Sequence, residues 1–256
     1  MRTSFFAALV VLAATAQAAP LPGYGGGFPS FSVGHGGNAQ SGNTGSANGG
    51  GVLNEGWFIS NGKGANQAGS GYITSSGNAI GGQGSPFGGN GGSAKSGNTG
   101  NSDGGDVINS GGYIYNGDYA NQAGNGGISH SGTAIGGNAK RGLGSYFNVG
   151  NGGSAQSGST GSANGGGVLN QGFKISNGFA SNQAGSGYIT SSGNAIGGQG
   201  GYFGGDGGNA KSGNTGSSNG GDVVNSGAFI QNSAFSNQGG NGGVSKSGNA
   251  IGGSGH

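Results

Sequence analysis

The chain has 256 residues, of which 74 are glycine, none is cysteine and 5% are charged. Because an ordinary globular domain has roughly 7% glycine and about 25% charged residues, this composition argues against an ordinary enzyme domain. The formal net charge of +2 gives little attraction for nucleic acid or anionic membranes, so no nucleic acid partner is expected, and it leaves little barrier to self-association.

The first 18 residues have the pattern of a secretory signal peptide. Arg2 supplies a positive n-region, residues 5–14 an apolar h-region, and residues 16–18 a small-residue cleavage site, which predicts cleavage between Ala18 and Ala19. The apolar run of about ten residues is too short for a bilayer, which needs ~20. No second such run follows, so we expect a secreted protein of the extracellular space or cell wall, without a transmembrane segment.

A four-fold repeat follows a proline-containing segment, residues 19–35, which is predicted to be a flexible leader. The repeats cover residues 36–82, 91–137, 152–198 and 207–253, with spacers at 83–90, 138–151 and 199–206 and a tail at 254–256. Repeats 1 and 3 agree at 39 of 47 positions and repeats 2 and 4 at 32, which indicates that a two-repeat block was duplicated. A fixed period of this size favours a repeat array over a single globular core.

Within each repeat, a turn-like segment precedes a seven-residue frame. Residues 36–51 are rich in Gly, Asn and Ser and are predicted to form turns, since Gly and Asn tolerate positive φ. The frame is then formed by residues seven apart: Val52, Ile59, Asn66, Ile73 and Ile80. Although heptads suggest a coiled coil, the interspersed glycines each cost roughly 1 kcal/mol in a helix relative to alanine, which excludes it.

The β-branched residues between Gly/Asn turns predict short strands at 52–54, 57–59, 72–74 and 79–80. One inward aliphatic residue per strand suits a β-solenoid, in which each coil stacks on the last. Asn54 and Asn61 share a strand face with Val52 and Ile59, and stacked copies are predicted to form hydrogen-bonded ladders. The predicted fold is thus an all-β repeat array, β-solenoid-like, with extensive Gly-rich irregular or disordered segments. A largely disordered chain remains the alternative, because ordering so much glycine backbone opposes folding.

Candidate chemical sites are few. Catalysis usually needs titratable residues placed together, whereas His35, His130 and His256 occupy unrelated positions and no carboxylate position recurs in all four repeats. We therefore predict no catalytic, cofactor-binding or metal-binding residue, no cofactor and no enzyme activity. A phenylalanine precedes every repeat, either as a contact between repeats or as a remnant of duplication; these are Phe31, Phe87, Phe147 and Phe203.

A dibasic pair, Lys140-Arg141, lies in the longest spacer, between the two duplicated blocks. Cleavage after Arg141 by a kexin-type protease would release two products of two repeats each. The alternative is a pair of charges that happens to lie in an exposed loop.

The segments SGNTGSANGG at 41–50 and SGNAIGG at 76–82, behind a signal peptide, resemble secreted Gly/Asn/Ser-rich tandem-repeat proteins of fungal cell surfaces. The resemblance is compositional and covers nearly the whole mature chain. It implies a non-catalytic structural or self-assembling component of a cell wall, spore coat or extracellular surface, with itself or wall components as partners. The alternative is a secreted interaction protein or effector that binds a surface component of a host.

Overall fold

The structure is a computed structural model that describes residues 34–85, 88–140, 150–202 and 204–255. All regular structure in these ranges is β. The predicted signal peptide with its Ala18–Ala19 cleavage site, and the leader as far as residue 33, lie outside them.

Repeats 1 to 3 each contribute five strands, with the longest second in order, and in repeat 4 this second strand is divided in two. Repeat 1 holds β1 (Ala39–Gln40), β2 (Val52–Asn61), β3 (Asn66–Gln67), β4 (Ile73–Ser75) and β5 (Ala79–Ile80). Repeat 2 holds β6 (Ala94–Lys95), β7 (Val107–Asn116), β8 (Asn121–Gln122), β9 (Ile128–His130) and β10 (Ala134–Ile135). Repeat 3 holds β11 (Ala155–Gln156), β12 (Val168–Asn177), β13 (Asn182–Gln183), β14 (Ile189–Ser191) and β15 (Ala195–Ile196). Repeat 4 holds β16 (Ala210–Lys211), β17 (Val223–Ser226), β18 (Phe229–Asn232), β19 (Asn237–Gln238), β20 (Val244–Lys246) and β21 (Ala250–Ile251).

The repeats stack as successive coils, here named coils 1 to 4. Equivalent strands pair in parallel and in register, as in Val52↔Val107 and Val168↔Val107, and form five sheets that run through all four coils. The predicted all-β array of short stacked strands is therefore confirmed. The predicted turn segment 36–51 differs, since it contains β1 and hydrogen bonds its backbone to coil 2, for example Thr44 N–H to the Asn98 carbonyl at 2.9 Å.

The second strand explains why inward residues can be seven apart. Side chains alternate along a strand, so an odd spacing places them on opposite faces. In β2 the ladder to β7 is interrupted at Trp57, between the pairs Gly56↔Gly111 and Phe58↔Tyr113. This break shifts the alternation by one residue, so that Val52 before it and Ile59 after it both face the interior.

The inward placement predicted for Ile73 and Ile80 is wrong, because their side chains are 62% and 64% exposed. In β4 the buried residue is Thr74, whose Oγ1 donates to the Gly100 carbonyl at 3.2 Å. In β5 the buried residue is Ala79, in a cluster of alanines from the first and fifth strands of the coils. The sheet of first strands and the sheet of fifth strands therefore pack against each other through alanine methyl groups, and the space between them is too narrow for an isoleucine side chain.

The predicted asparagine ladders are confirmed. Nδ2 of Asn54 donates to Oδ1 of Asn109 at 2.7 Å, and Nδ2 of Asn109 donates to Oδ1 of Asn170 at 2.8 Å. A parallel ladder begins at Asn61, and a third, which the sequence did not predict, begins at Asn66. The ladders are cross-linked within coils 2 to 4, so the interior holds a hydrogen-bonded amide network instead of a continuous apolar core.

Most glycines allow backbones to approach, and few provide the positive φ that was predicted for them. Among the described glycines, only Gly64, Gly88, Gly89 and Gly204 have φ in the left-handed region. Elsewhere the backbone of one wall bonds directly to the opposite wall. Gly105 N–H donates to the Gly69 carbonyl at 2.8 Å, and a Cβ on Gly105 would lie 2.2 Å from the carbonyl oxygen of Gly50.

Candidate functional site

Histidine and carboxylate side chains are few in the described ranges of the chain. Within those ranges no three His, Asp or Glu side chains lie close enough together to hold a metal ion. Nδ1 of His35 accepts a hydrogen bond from the backbone N–H of Asn90 at 3.1 Å, and His130 is exposed on β9, while His256 lies outside the described residues.

Three aspartates take part in coil stacking. Oδ1 of Asp103 accepts from the backbone N–H of Asn164 at 2.8 Å, and Oδ1 of Asp106 accepts from that of Gly167 at 2.7 Å. Asp118 does the same for Phe179 at 2.9 Å. At the position of Asp103, coils 1 and 3 use Oδ1 of Asn48 and Asn164 in the same way, to accept an N–H of the next coil. The other coils have no Asn or Ser at the positions of Asp106 and Asp118. The contacts of the three carboxylates account for them as structural groups.

The most distinctive surface is a row of aromatic rings on the outer face of the sheet β2-β7-β12-β17, to which β18 also belongs. We name Trp57, Phe58, Tyr113, Phe173 and Phe229 the aromatic strip. The rings of Phe58 and Tyr113 are stacked with centroids 4.9 Å apart, and Trp57 meets Tyr113 edge to face at 6.0 Å. Edge-to-face contacts of 6.3 Å and 5.4 Å continue the strip through Phe173 to Phe229.

The break at Trp57 creates this strip. Because the alternation shifts there, two consecutive residues point outward in each coil, and every coil places an aromatic ring at one or both of these positions. Coils 2 and 4 carry the ring at the second position, coil 3 at the first, and coil 1 at both. The strip is not among the sequence predictions, because neither position is aromatic in all four coils; the signal lies in the two positions taken together.

An aliphatic row runs parallel to the strip on the same face. It is formed by Leu53, Ile108, Leu169 and Val224, of which Leu53 and Val224 are exposed and the other two half-buried. Contiguous apolar surface of this kind marks interaction sites in soluble proteins. The outer face of this sheet is therefore the candidate interaction surface.

A shallow groove of about 620 Å³ lies between the two rows, above the backbone of Gly111 and Gly172. Trp57 forms one wall, and Ser110 and Gln171 supply polar groups. A second shallow groove of about 580 Å³ follows the first strands of the coils, with Lys95 and Lys211 among its lining residues. Both grooves are open and are lined by equivalent residues of successive coils, so their shape suits an extended ligand better than a small compact one.

The predicted processing site lies at the boundary of the described residues. Lys140 is exposed and Arg141 lies outside the described ranges, as do the four phenylalanines Phe31, Phe87, Phe147 and Phe203. The predicted contact between repeats through these phenylalanines therefore stays a prediction. The part of the chain that the structure describes holds no helix with the length and apolar character needed to cross a membrane.

Searches with protein-family models, among curated proteins and among solved structures find no match to this chain. Its function is therefore inferred from its own geometry.

Proposed function

We propose that this chain is a secreted, non-catalytic structural protein of a cell wall, spore coat or other extracellular surface. The observation that carries the proposal is the in-register stacking of four equivalent coils with an interior of paired polar groups. Among the described residues only one buried side-chain polar atom, Oγ1 of Thr44, lacks a hydrogen-bond partner. The aspartates of coil 2 also bond to the next coil. Hydrogen bonds from both side chains and backbone thus hold each coil to the next, as a structural role requires.

Secretion without cysteine fits this role. Small secreted domains commonly rely on disulfides to stabilise a thin core. In this chain the cross-linked asparagine ladders and the backbone hydrogen bonds between coils supply the stabilisation that disulfides give in such domains. A rod stabilised in this way needs neither an oxidising compartment nor a large apolar core.

The proposal is tested by locating the chain in the cells that produce it. We expect an epitope-tagged chain to be found mainly in the washed cell-surface fraction, and a variant without residues 1–18 to stay inside the cell. A wild-type chain retained in the cytoplasm, or found entirely free in the medium, would contradict the structural role.

A second candidate is an interaction protein or effector at a host interface, and the exposed aromatic strip favours it. In this case the secreted chain should bind a defined surface component with saturation. Replacing Trp57 and Phe173 by alanine should abolish binding while the urea midpoint stays within error, since both rings are exposed. Gln67→Ala is the matched control, since Gln67 is exposed on β3, which belongs to a different sheet.

We also propose that the chain is processed after Arg141. Coils 2 and 3 are hydrogen bonded, for instance from Ala94 N–H to the Ser154 carbonyl at 2.8 Å, so the two products should remain associated after cleavage. Intact-mass measurement of denatured secreted protein should show two fragments that co-elute under native conditions. A single species covering residues 19–256 would exclude processing.

A further inference from the structure

The two ends of the stack expose unpaired strand edges. In the described residues, all five sheets begin with a strand of coil 1 and end with a strand of coil 4. Unpaired edges are templates for pairing with another chain, and many proteins cover or disrupt them. The question is whether these two ends are shaped as terminal caps or as further internal surfaces.

Coil 1 is shaped as an internal coil. In coil 2, a Cβ on Gly97 would lie 1.9 Å from the carbonyl oxygen of Gly42, and one on Gly105 would lie 2.2 Å from that of Gly50. Gly42 and Gly50 themselves have nothing within 4 Å of an added Cβ, and neither has a positive φ. The described residues of one chain therefore give these two glycines no steric role, whereas a coil stacked on this face would.

Coil 4 presents the complementary surface. Each inner isoleucine packs against a glycine of the following coil. A Cβ added to that glycine would lie 3.1–3.3 Å from the isoleucine Cδ1, as found for Ile59, Ile114 and Ile175. These three isoleucines are at most 7% exposed. Ile230 occupies the same position in coil 4 and is 42% exposed, because no coil follows it. The glycine that would cover it in a further coil corresponds to Gly56 of coil 1.

The hydrogen-bonding groups of the two ends also match. At the start of the first strand, the N–H of one coil donates to a carbonyl of the next, as from Ala39 to Ser93 at 2.9 Å and from Ala155 to Asn209 at 2.8 Å. This direction leaves donors such as Ala210 N–H on coil 4 and acceptors such as the Asn38 carbonyl on coil 1.

The asparagine ladders have the same direction. Nδ2 of Asn170 donates to Oδ1 of Asn225 at 2.7 Å, so the ladder ends with an Nδ2 hydrogen of Asn225 directed beyond coil 4 and begins with Oδ1 of Asn54 on coil 1.

We infer that a second copy of this chain stacks its coil 1 on coil 4 of the first, head to tail and in parallel register, with Ala39 opposite Ala210. The junction repeats the contact between coils 2 and 3, since coil 4 resembles coil 2 and coil 1 resembles coil 3. A head-to-tail contact that does not close into a ring gives an open filament. This inference rests on the proposed structural role and names its assembly partner.

An internal contact shows how the junction would be specified. Oδ1 of Asp106 in coil 2 accepts from the N–H of Gly167 in coil 3 at 2.7 Å. Asp222 occupies the same position in coil 4, and the N–H that would reach it belongs to Gly51 of the second copy. Coils 1 and 3 carry glycine where coils 2 and 4 carry these aspartates, so the junction continues the alternation of the two coil types.

The test blocks each end separately in the full secreted chain. In the double variant Gly42→Ala/Gly50→Ala, the added methyl groups have open space in one chain and would meet carbonyl oxygens of a stacked copy. In Ile230→Asp, a charge replaces the isoleucine at the other end. Gly239→Ala is the matched control for the methyl groups, since coils 1 to 3 already carry alanine there, and Gln171→Glu on the outer face is the matched control for the charge.

Sedimentation velocity over a concentration series and electron microscopy give the readout. We expect wild type and both controls to form linear assemblies, and each blocked variant to remain a single chain, with self-association weakened at least ~100-fold. An equimolar mixture of the two blocked variants should give a dimer of twice the chain mass and nothing longer, because one intact junction remains. This dimer would also show that both variants fold.

Three results would overturn the inference: a wild-type chain that stays single, blocked variants that assemble like wild type, or a mixture that does not dimerise. None of these results bears on where the chain is found in cells. Conversely, assembly of a chain that is absent from the cell surface would support the junction and contradict the structural role.

Discussion

A single methyl group should have opposite effects on stability at two equivalent glycines. Gly105 in coil 2 is buried, its N–H donates to the Gly69 carbonyl at 2.8 Å, and its carbonyl accepts from Gly124 N–H at 2.9 Å. Its counterpart in coil 1 is Gly50, which is exposed and has open space at the Cβ position. The pair Gly105→Ala and Gly50→Ala therefore changes the same repeat position with and without a neighbouring coil.

The magnitude at Gly105 follows from the contact distance. The new Cβ would lie 2.2 Å from the carbonyl oxygen of Gly50, and reaching ordinary van der Waals separation needs a backbone shift of about 1 Å. This shift lengthens both hydrogen bonds of Gly105 beyond their normal range, at ~1 kcal/mol each, and adds ~1–3 kcal/mol of packing strain. We expect Gly105→Ala to lower the free energy of unfolding by ~3–5 kcal/mol.

At Gly50 the added methyl meets no atom, so its main effect is on the unfolded chain. Alanine has less backbone freedom than glycine there, which should raise the free energy of unfolding by ~0.4–1 kcal/mol. Urea unfolding followed by circular dichroism, at a concentration where sedimentation shows single chains, measures both. A Gly105→Ala variant within ~1 kcal/mol of wild type, or equal losses at both positions, would refute the glycine-packed interior.

Three further comparisons, made with five substitutions, test side-chain orientation, the amide network and backbone strain. Ile114→Ala should lower the free energy of unfolding by ~2–5 kcal/mol because its side chain is fully buried, whereas Ile73→Ala should change it by less than ~1 kcal/mol. Asn109→Ala should cost ~2–4 kcal/mol because it leaves buried amides unpaired, while Asn232→Ala at the open edge of coil 4 should cost less than ~1 kcal/mol. Ala180→Gly should raise the stability by ~1 kcal/mol, since Ala180 has φ of 47° at a position where coil 1 has glycine.

Urea midpoints measure the first two comparisons and thermal unfolding the third. An Ile73 variant as unstable as the Ile114 variant would place that side chain inside after all. Equal effects at the two asparagines would mean that the ladder contributes no more inside the stack than at its end, and an unchanged melting temperature for the Ala180 variant would show that the left-handed backbone is not strained.

The repeat frame and the ladders at Asn54 and Asn61 could be predicted because they depend on local rules. Parallel in-register stacking places identical residues above one another, and a two-residue spacing from Val52 or Ile59 places the amide on the inward face. Period and alternation are properties of the sequence alone. The predicted secretion and processing stay predictions, as do the partners.

The orientation of Ile73 and Ile80 could not be predicted in the same way. Which face of a short strand is buried depends on what the opposite wall offers, and the wall opposite Ala79 offers only alanine methyl groups. The packing role of the glycines is hidden for a similar reason, since the sequence does not show that residues around Gly50 and Gly69 meet across the coil.

The stability of this fold lies mainly between coils, because a strand of two residues such as β3 has no stability by itself. Hydrophobic burial within one repeat is smaller than the entropy lost on ordering it, so each coil becomes favourable only when its neighbour accepts its backbone and amide hydrogen bonds. The end coils then have half the support of the inner ones, which agrees with the general exposure of coil 4. A copy stacked on either end would supply the missing half, so the same bonds that order the single chain also favour its assembly.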